Sequence, residues 1–210
     1  MPREITYNWL DRPAELNAQE AAFVSRLQAN EDAAYDELVR SYSGPIYHVA
    51  YRMLGDSAEA SDVVQEIFLK VFRHISGFKG EAALKTWIFR IAFSEILNQL
   101  RSWKRRYKHA TVSLDEDANG KTEMDIAVNT GPTPEEVLQT KEREAAIQHA
   151  LRRLSHDHRS IIVLRDIEGF SYNDIADVLG ISVGTVKSRL ARARGDLKQA
   201  LMRYLSVQHL

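Results

Sequence analysis

The chain of 210 residues contains no cysteine. That absence excludes a disulfide framework, a thiolate zinc site and a cysteine nucleophile, and it suits a reducing compartment, so a cytoplasmic location is expected. Long apolar runs are missing too. The opening stretch "MPREITYNWLDRPAELNAQE" carries acidic residues throughout and lacks the apolar core of a signal peptide, and no later stretch approaches the roughly 20 apolar residues of a membrane span. No membrane insertion is expected. Sustained apolar/polar alternation, the mark of strands, is not found, nor is a glycine-rich phosphate loop. The seven histidines are scattered, and the closest pair, His156 and His158, is spaced too tightly to share one helix face. No metal, cofactor or catalytic constellation is therefore expected, and the activity should be binding.

What the chain does contain is helical periodicity. From about Asn17 to Arg106 apolar residues recur at three and four positions, punctuated by "SGP" (Ser43 to Pro45), "LGDS" (Leu54 to Ser57) and "SGFKGE" (Ser76 to Glu81), each expected to be a turn. Between Ser102 and Pro134 the pattern collapses into "SLDEDANGKTEMDIAVNTGPTP", whose carboxylates face a single lysine; this reads as a flexible acidic linker. Periodicity resumes at Thr133, a candidate N-cap ahead of Pro134 at the first helical position, and continues nearly to the end. The expected architecture is all-α: two small helical domains joined by a flexible acidic linker, the second containing a helix-turn-helix. The expected boundaries are 1–16 for an N-terminal extension, 17–108 for the first domain, 109–132 for the linker and 133–210 for the second domain.

The formal net charge is only -1, yet "GISVGTVKSRLARARGDL" gathers Lys187, Arg189, Arg192 and Arg194 with one carboxylate, Asp196. On a helical wheel Val183, Leu190, Ala193 and Leu197 fall within about 60° of Val186, giving one buried stripe. The opposite face carries Gly184, Ser188, Ala191, Arg192 and Gly195, flanked by Thr185 and Lys187. Small residues, cations and hydroxyls together allow close approach to a hydrogen-bonding surface, as a DNA major groove requires. The preceding "SYNDIADVLG" reads as a short helix with Ser171 as N-cap, Ile175, Ala176 and Leu179 inward, and Gly180 at the sharp turn before Ser182 caps the next helix. Two helices and a tight turn, the second basic outside, make a helix-turn-helix. The other reading is a packing unit with a solvated basic face.

A second basic patch, "RSWKRRYKH", interleaves Arg101, Lys104, Arg105, Arg106 and Lys108 with Trp103 and Tyr107, a composition suited to phosphates and unstacked bases. Upstream, "LKTWIFRIAFSEILNQLR" is apolar nearly all round except for Thr86, Arg90, Ser94 and Asn98, a stripe that Arg101 continues. Such a stripe either faces water or meets a polar partner. In "SDVVQEIFLKVFRHI", Val64, Ile67, Phe68, Val71 and Ile75 form the expected buried face, and Asp62, Glu66, Leu69 and Arg73 point outward. Chemistry alone leaves that outer face open between solvated surface and protein contact.

The ordered set "GDSAEASDVVQEIFLKVF", "LKTWIFRIAFSEILNQLR" and "SYNDIADVLGISVGTVKSRLARAR", with an acidic linker before the last, closely resembles bacterial RNA polymerase sigma factors of the extracytoplasmic-function (ECF) type over roughly Asn17 to Leu205. The resemblance implies a transcription initiation factor that binds core RNA polymerase through its clamp and flap regions and reads promoter DNA. It places Asp62, Gln65, Glu66 and Leu69 at the clamp interface. It assigns the minus-10 element to the loop from Ser76 and the next helix, with Thr86, Arg90, Ser94, Asn98, Arg101 and Arg105 as contacts. It assigns the minus-35 element to Ser182, Thr185, Lys187, Ser188, Arg189, Ala191, Arg192 and Arg194. Many members carry asparagine where Ser94 stands, which leaves the preferred promoter base open. Family practice also implies an anti-sigma partner, and a linker that threads toward the polymerase active site; a merely soluble tether accounts for its composition equally well. The rival from another class is a response-regulator-type helix-turn-helix factor acting without stable polymerase binding, which would need a strand-built acidic pocket in the first half.

Overall fold

A computed structural model of the chain describes residues 14–108 and 134–208. The expected linker, the cap Thr133 and most of the N-terminal extension lie outside the described residues, as do the side chains from Lys104 to Lys108. Every regular element described is helical, without a strand among the described residues.

Helix α1 (Ala14–Gln28) begins three residues ahead of the expected start and buries Val24 and Leu27. It turns into α2 through Asn30, whose φ of 58° is the one left-handed non-glycine backbone among the described residues. Arg26 ties the corner by bridging Glu31 at 2.9 Å and Glu37 at 3.1 Å. All three side chains are solvated, so these pairs add little.

Helix α2 (Asp32–Leu54) corrects one expectation, because it runs straight through Ser43 to Pro45, where a turn was expected. Proline inside a helix removes one backbone hydrogen bond and crowds the preceding turn. The cost is outweighed by the stripe Leu38, Tyr42, Ile46, Val49 and Met53, which straddles Pro45 at helical spacing and is buried throughout. Breaking the helix at Pro45 would expose half of that stripe. The true end is Gly55, at φ 78°, and Asp56 then caps α3 (Ser57–His74) by accepting from the Glu59 N–H at 2.9 Å.

In α3 the buried face is Ala60, Val63, Ile67, Phe68 and Val71. The expected stripe was one residue off at its start: Val63 is buried and Val64 only half-buried. A 3₁₀ turn (Ile75–Gly77) and a loop lead to α4 (Leu84–Lys108). Gln28 of α1 holds that loop by donating to the carbonyls of Ile75 (3.2 Å) and Phe78 (3.0 Å). Glu20 caps α4 by accepting from the Leu84 N–H at 2.7 Å. Ile88, Phe89, Ala92, Phe93 and Ile96 then fill the centre of the first unit.

The second unit starts with α5 (Pro134–Arg153), its proline in the first helical position as expected. Helix α6 (His156–Ile162) is capped by Ser155 and widens into a single π turn over Val163–Ile167. Ser171 caps α7 (Tyr172–Leu179) by accepting from the Asp174 N–H at 3.1 Å. Gly180, at φ 65°, ends it, with the Ile181 N–H closing back on the Ala176 carbonyl at 3.1 Å. Helix α8 (Val183–Gln208) follows at once. Inside α7 the buried residues are Ile175, Ala176 and Val178, so Val178 takes the place expected for Leu179, which is half-buried.

The two units do not stand apart. One continuous core joins them, and the C-terminal end of α2 is where they interlock. The last carbonyls of a helix have no partner within it and carry the negative end of its dipole. Here the second unit supplies the donors: Gln148 to the Tyr51 carbonyl at 3.0 Å, Arg159 to that of Met53 and Arg152 to that of Gly55.

Candidate nucleic-acid and polymerase interfaces

The outer face of α8 is built by its buried one. Val186, Leu190 and Ala193 lock the helix onto α6 and α7, which turns Lys187, Ser188, Ala191 and Arg192 into solvent. Ser182 opens this face, accepting from the Thr185 N–H at 3.2 Å with its hydroxyl 2.8 Å from that of Thr185. Beside it the start of α6 makes a depression of about 410 Å³, lined by Asp157, His158, Thr185, Ser188, Arg189 and Arg192.

The predicted cations on this face differ in what they touch. Arg189 lies 3.2 Å from Asp157, across the depression. Arg194 is held by Asp166, with Nε 3.0 Å from Oδ2, and this hydrogen bond raises its pKa further. Its charge is thereby partly answered within its own unit. His158 Nδ1 lies 2.7 Å from Asp196, the carboxylate of the same helix.

On α4 the predicted polar stripe divides. Arg90, Ser94, Asn98 and Arg101 are exposed, and the last two are linked, Arg101 donating to Asn98 at 3.1 Å. Thr86 is only 4% exposed. Its hydroxyl donates to Asp174 of α7 at 2.9 Å, so the polar partner demanded by this part of the stripe comes from within the chain. The Arg105 side chain lies outside the described residues.

Neighbouring contacts extend the covered zone. Lys85 Nζ donates to the Glu168 carbonyl at 3.4 Å and sits 4.5 Å from the centre of the Phe170 ring. Phe170 in turn packs on Phe89, their centroids 4.9 Å apart. Burial pushes the Glu168 carboxyl above the ordinary carboxylate range, and Lys85 opposes the shift without cancelling it. Sequence reasoning missed Lys85, Phe170 and Asp174. No periodic signal could have found them, because they meet across a separation of more than 80 residues.

The outer face of α3 is uncovered. Asp62, Gln65 and Glu66 are exposed, and Leu69 is a large apolar side chain at 44% exposure. Among the described residues no cluster of three histidines or carboxylates is arranged to hold a metal, and no helix is long and apolar enough to cross a membrane.

Comparison with known proteins assigns the chain to a family. The Sigma-70 region 2 model matches residues 38–106, which spans α2 to α4, and the Sigma-70 region 4 model matches residues 144–197, which contains the helix-turn-helix. The chain is 38% identical over 183 residues to the RNA polymerase sigma-H factor of Pseudomonas aeruginosa, covering 87% of this chain and 94% of that one. The chain is an ECF-type RNA polymerase sigma factor. The ECF sigma-E factor of Haemophilus influenzae is 35% identical, over 82% of this chain and 90% of its own length. Among solved structures, CnrH in complex with the cytosolic domain of CnrY shares the fold at 22% identity, with a TM-score of 0.64 over 88% of this chain and 97% of that one. RpoE of Bartonella quintana, solved with the anti-sigma factor NepR, is 25% identical with a TM-score of 0.57, over 90% of this chain and 97% of that one. This sigma factor therefore directs RNA polymerase to promoters and is not itself an enzyme; the response-regulator alternative is not favoured, because the regular elements described in the first half of the chain are helices and region 2 matches them.

Proposed function

We propose that the sigma factor divides its work among three surfaces, within units bounded at 17–108 and 133–210 and tethered by 109–132. Asp62, Gln65, Glu66 and Leu69 on α3 dock on the polymerase clamp, with the flap region meeting the second unit. Thr86, Arg90, Ser94, Asn98, Arg101 and Arg105 on α4 meet the minus-10 element. Ser182, Thr185, Lys187, Ser188, Arg189, Ala191, Arg192 and Arg194 meet the minus-35 element, with Lys187, Ser188, Ala191 and Arg192 at the groove. The protein works in the cytoplasm beside the polymerase. An anti-sigma factor is the further partner, since RpoE of Bartonella quintana, a structural neighbour at 25% identity, was solved with the anti-sigma factor NepR.

The observation that carries this reading is the two-sided build of α8: Val186, Leu190 and Ala193 are buried, and Lys187, Ser188, Ala191 and Arg192 between them are exposed. A helix anchored on one side and free to hydrogen-bond on the other is what direct readout in a major groove needs. The test is reconstitution with purified core polymerase on a library of promoters randomised at both elements. Selected sequences should share two motifs, and Arg192→Ala should relax selection at the upstream one alone. Selection of no upstream motif by the parent would remove α8 as a reader.

A further inference from the structure

We propose that the segment Glu168–Asp174 is an autoinhibitory cover, which occupies Lys85, Thr86 and Phe89 in the first turns of α4 with groups that imitate single-stranded DNA. The proposal rests on the reading of α4 as the minus-10 face. A nucleic-acid strand offers a protein three things: anionic oxygens, carbonyl acceptors and flat rings. The segment offers all three within seven residues. The Asp174 carboxylate takes the Thr86 hydroxyl at 2.9 Å, the Glu168 carbonyl takes the Lys85 ammonium at 3.4 Å, and the Phe170 ring lies under Lys85 and against Phe89.

The backbone is shaped to deliver these groups. After the π turn, Gly169 adopts φ 71°, and Arg165 donates to the Phe170 carbonyl at 2.7 Å while its guanidinium lies 4.9 Å from the centre of the Tyr172 ring. Ser171 Oγ lies 2.5 Å from Asp174 Oδ2, which leaves Oδ1 to accept from Thr86. Phe170 is thus a ring on a braced loop, only 4% exposed in the closed chain.

The cover is held from a second place. Gln148, Arg152 and Arg159 seat on the carbonyl end of α2 through contacts that involve none of the proposed DNA-binding residues. Meanwhile the outer face of α3 and the groove face of α8 stay exposed. Closure therefore blocks DNA at the first turns of α4, around Thr86, while Arg90, Ser94 and the polymerase-docking face of α3 stay open. Entry of the minus-10 strand requires the units to separate.

The experiment uses the full chain, whose lack of cysteine permits donor and acceptor dyes at Asp36→Cys and Lys198→Cys, both exposed sites. Two sets of variants open it independently: Phe170→Ala within the cover, and Gln148→Ala with Arg152→Ala at the α2 end. The probe is a short random-sequence single-stranded DNA. The parent should show high energy transfer and weak binding. Both sets should lower the transfer and tighten binding, by about tenfold if the closed form holds roughly nine molecules in ten, and Arg90→Ala should erase the gain. Lowered transfer with unchanged affinity, while Arg90→Ala still weakens binding, overturns the cover and leaves the α4 reading intact. Lowered transfer with no effect of Arg90→Ala on any background overturns both. A parent already as open as its variants overturns the cover alone. The second set keeps the test alive should Phe170→Ala fail to fold.

Discussion

Arg159 donates its Nη1 to the backbone carbonyl of Met53, across a separation of 106 residues. The same guanidinium reaches the carbonyls of Leu151 at 2.7 Å, Arg152 at 2.8 Å and Leu154 at 3.4 Å. One buried cation thus gathers the ends of two helices, α2 and α5, one from each unit. Removal from water, together with the charge of Arg152, pushes its pKa down to about 10, still high enough to keep it charged at neutral pH. A buried charge is tolerable only when its hydrogens are this fully matched.

Replacing Arg159 by methionine keeps the volume and deletes the donors. The Leu151 carbonyl keeps the Leu154 N–H as donor, but the other three lose a donor in a buried or part-buried setting, and each unsatisfied acceptor costs roughly 1–3 kcal/mol. Urea unfolding should therefore show a loss of about 3 kcal/mol or more, concentrated in the second unit. A variant as stable as the parent would mean that water replaces the guanidinium at no cost.

Glu168 gives the chain a dependence on pH whose sign is fixed by burial. Its carboxyl ordinarily titrates near 4.5 and is raised in the folded chain. The folded state then holds a proton that the unfolded state has released, so stability is fully present below 4.5 and falls as pH rises through the raised value. Lys85 is the facing cation and limits the effect. Unfolding midpoints taken from about pH 5 upward should decline in the parent, and Glu168→Gln should flatten that decline. An identical slope in the two proteins would place the titration elsewhere.

Local features were legible in the sequence because their causes are local. Ser171 and Gly180 work through neighbours three to five residues away, and the stripe of Val186, Leu190 and Ala193 repeats within one helix. Pro45 misled because its penalty is local while the burial that outweighs it, from Leu38 to Met53, is tertiary. Val64 and Leu179 were misplaced by a single residue each, since an apolar pair such as Val63 and Val64 gives periodicity no means of choosing. The joining of the units was illegible altogether. Arg159 precedes an apolar run, "SIIVL", where an unpartnered charge could not be buried; that was the one hint, and it named no partner.

At the DNA face, Arg192 and Arg194 make a contrasted pair. Arg194 is engaged by Asp166, whereas Arg192 is exposed at the rim of the depression before α6. Arg192→Ala should weaken binding of the holoenzyme to its minus-35 duplex by about 1–3 kcal/mol if a base edge is read, with loss of discrimination against random duplex. Arg194→Ala should cost less and act alike on both duplexes. Equal effects of the two substitutions on specificity would show that Asp166 lets go of Arg194 on binding.

The outer face of α3 offers the sharpest separation of folding from binding. Glu66 is exposed while Val63, Ile67 and Val71 are buried, so its side chain takes no part in the core. Leu69, one turn on, is the apolar centre of the same face and is 44% exposed. A partner covering Leu69 would strip water from around Glu66 as well, and a basic partner would then feel the full effect of a reversed charge. Glu66→Lys should melt as the parent does and should cost several kcal/mol in competition for core polymerase, because like charges meet across a partly desolvated contact. Leu69→Ala should show the same pattern, with unchanged melting and a smaller loss. If Glu66→Lys competes as well as the parent while melting normally, the polymerase docks elsewhere, and the exposure of Leu69 must be explained by a different partner.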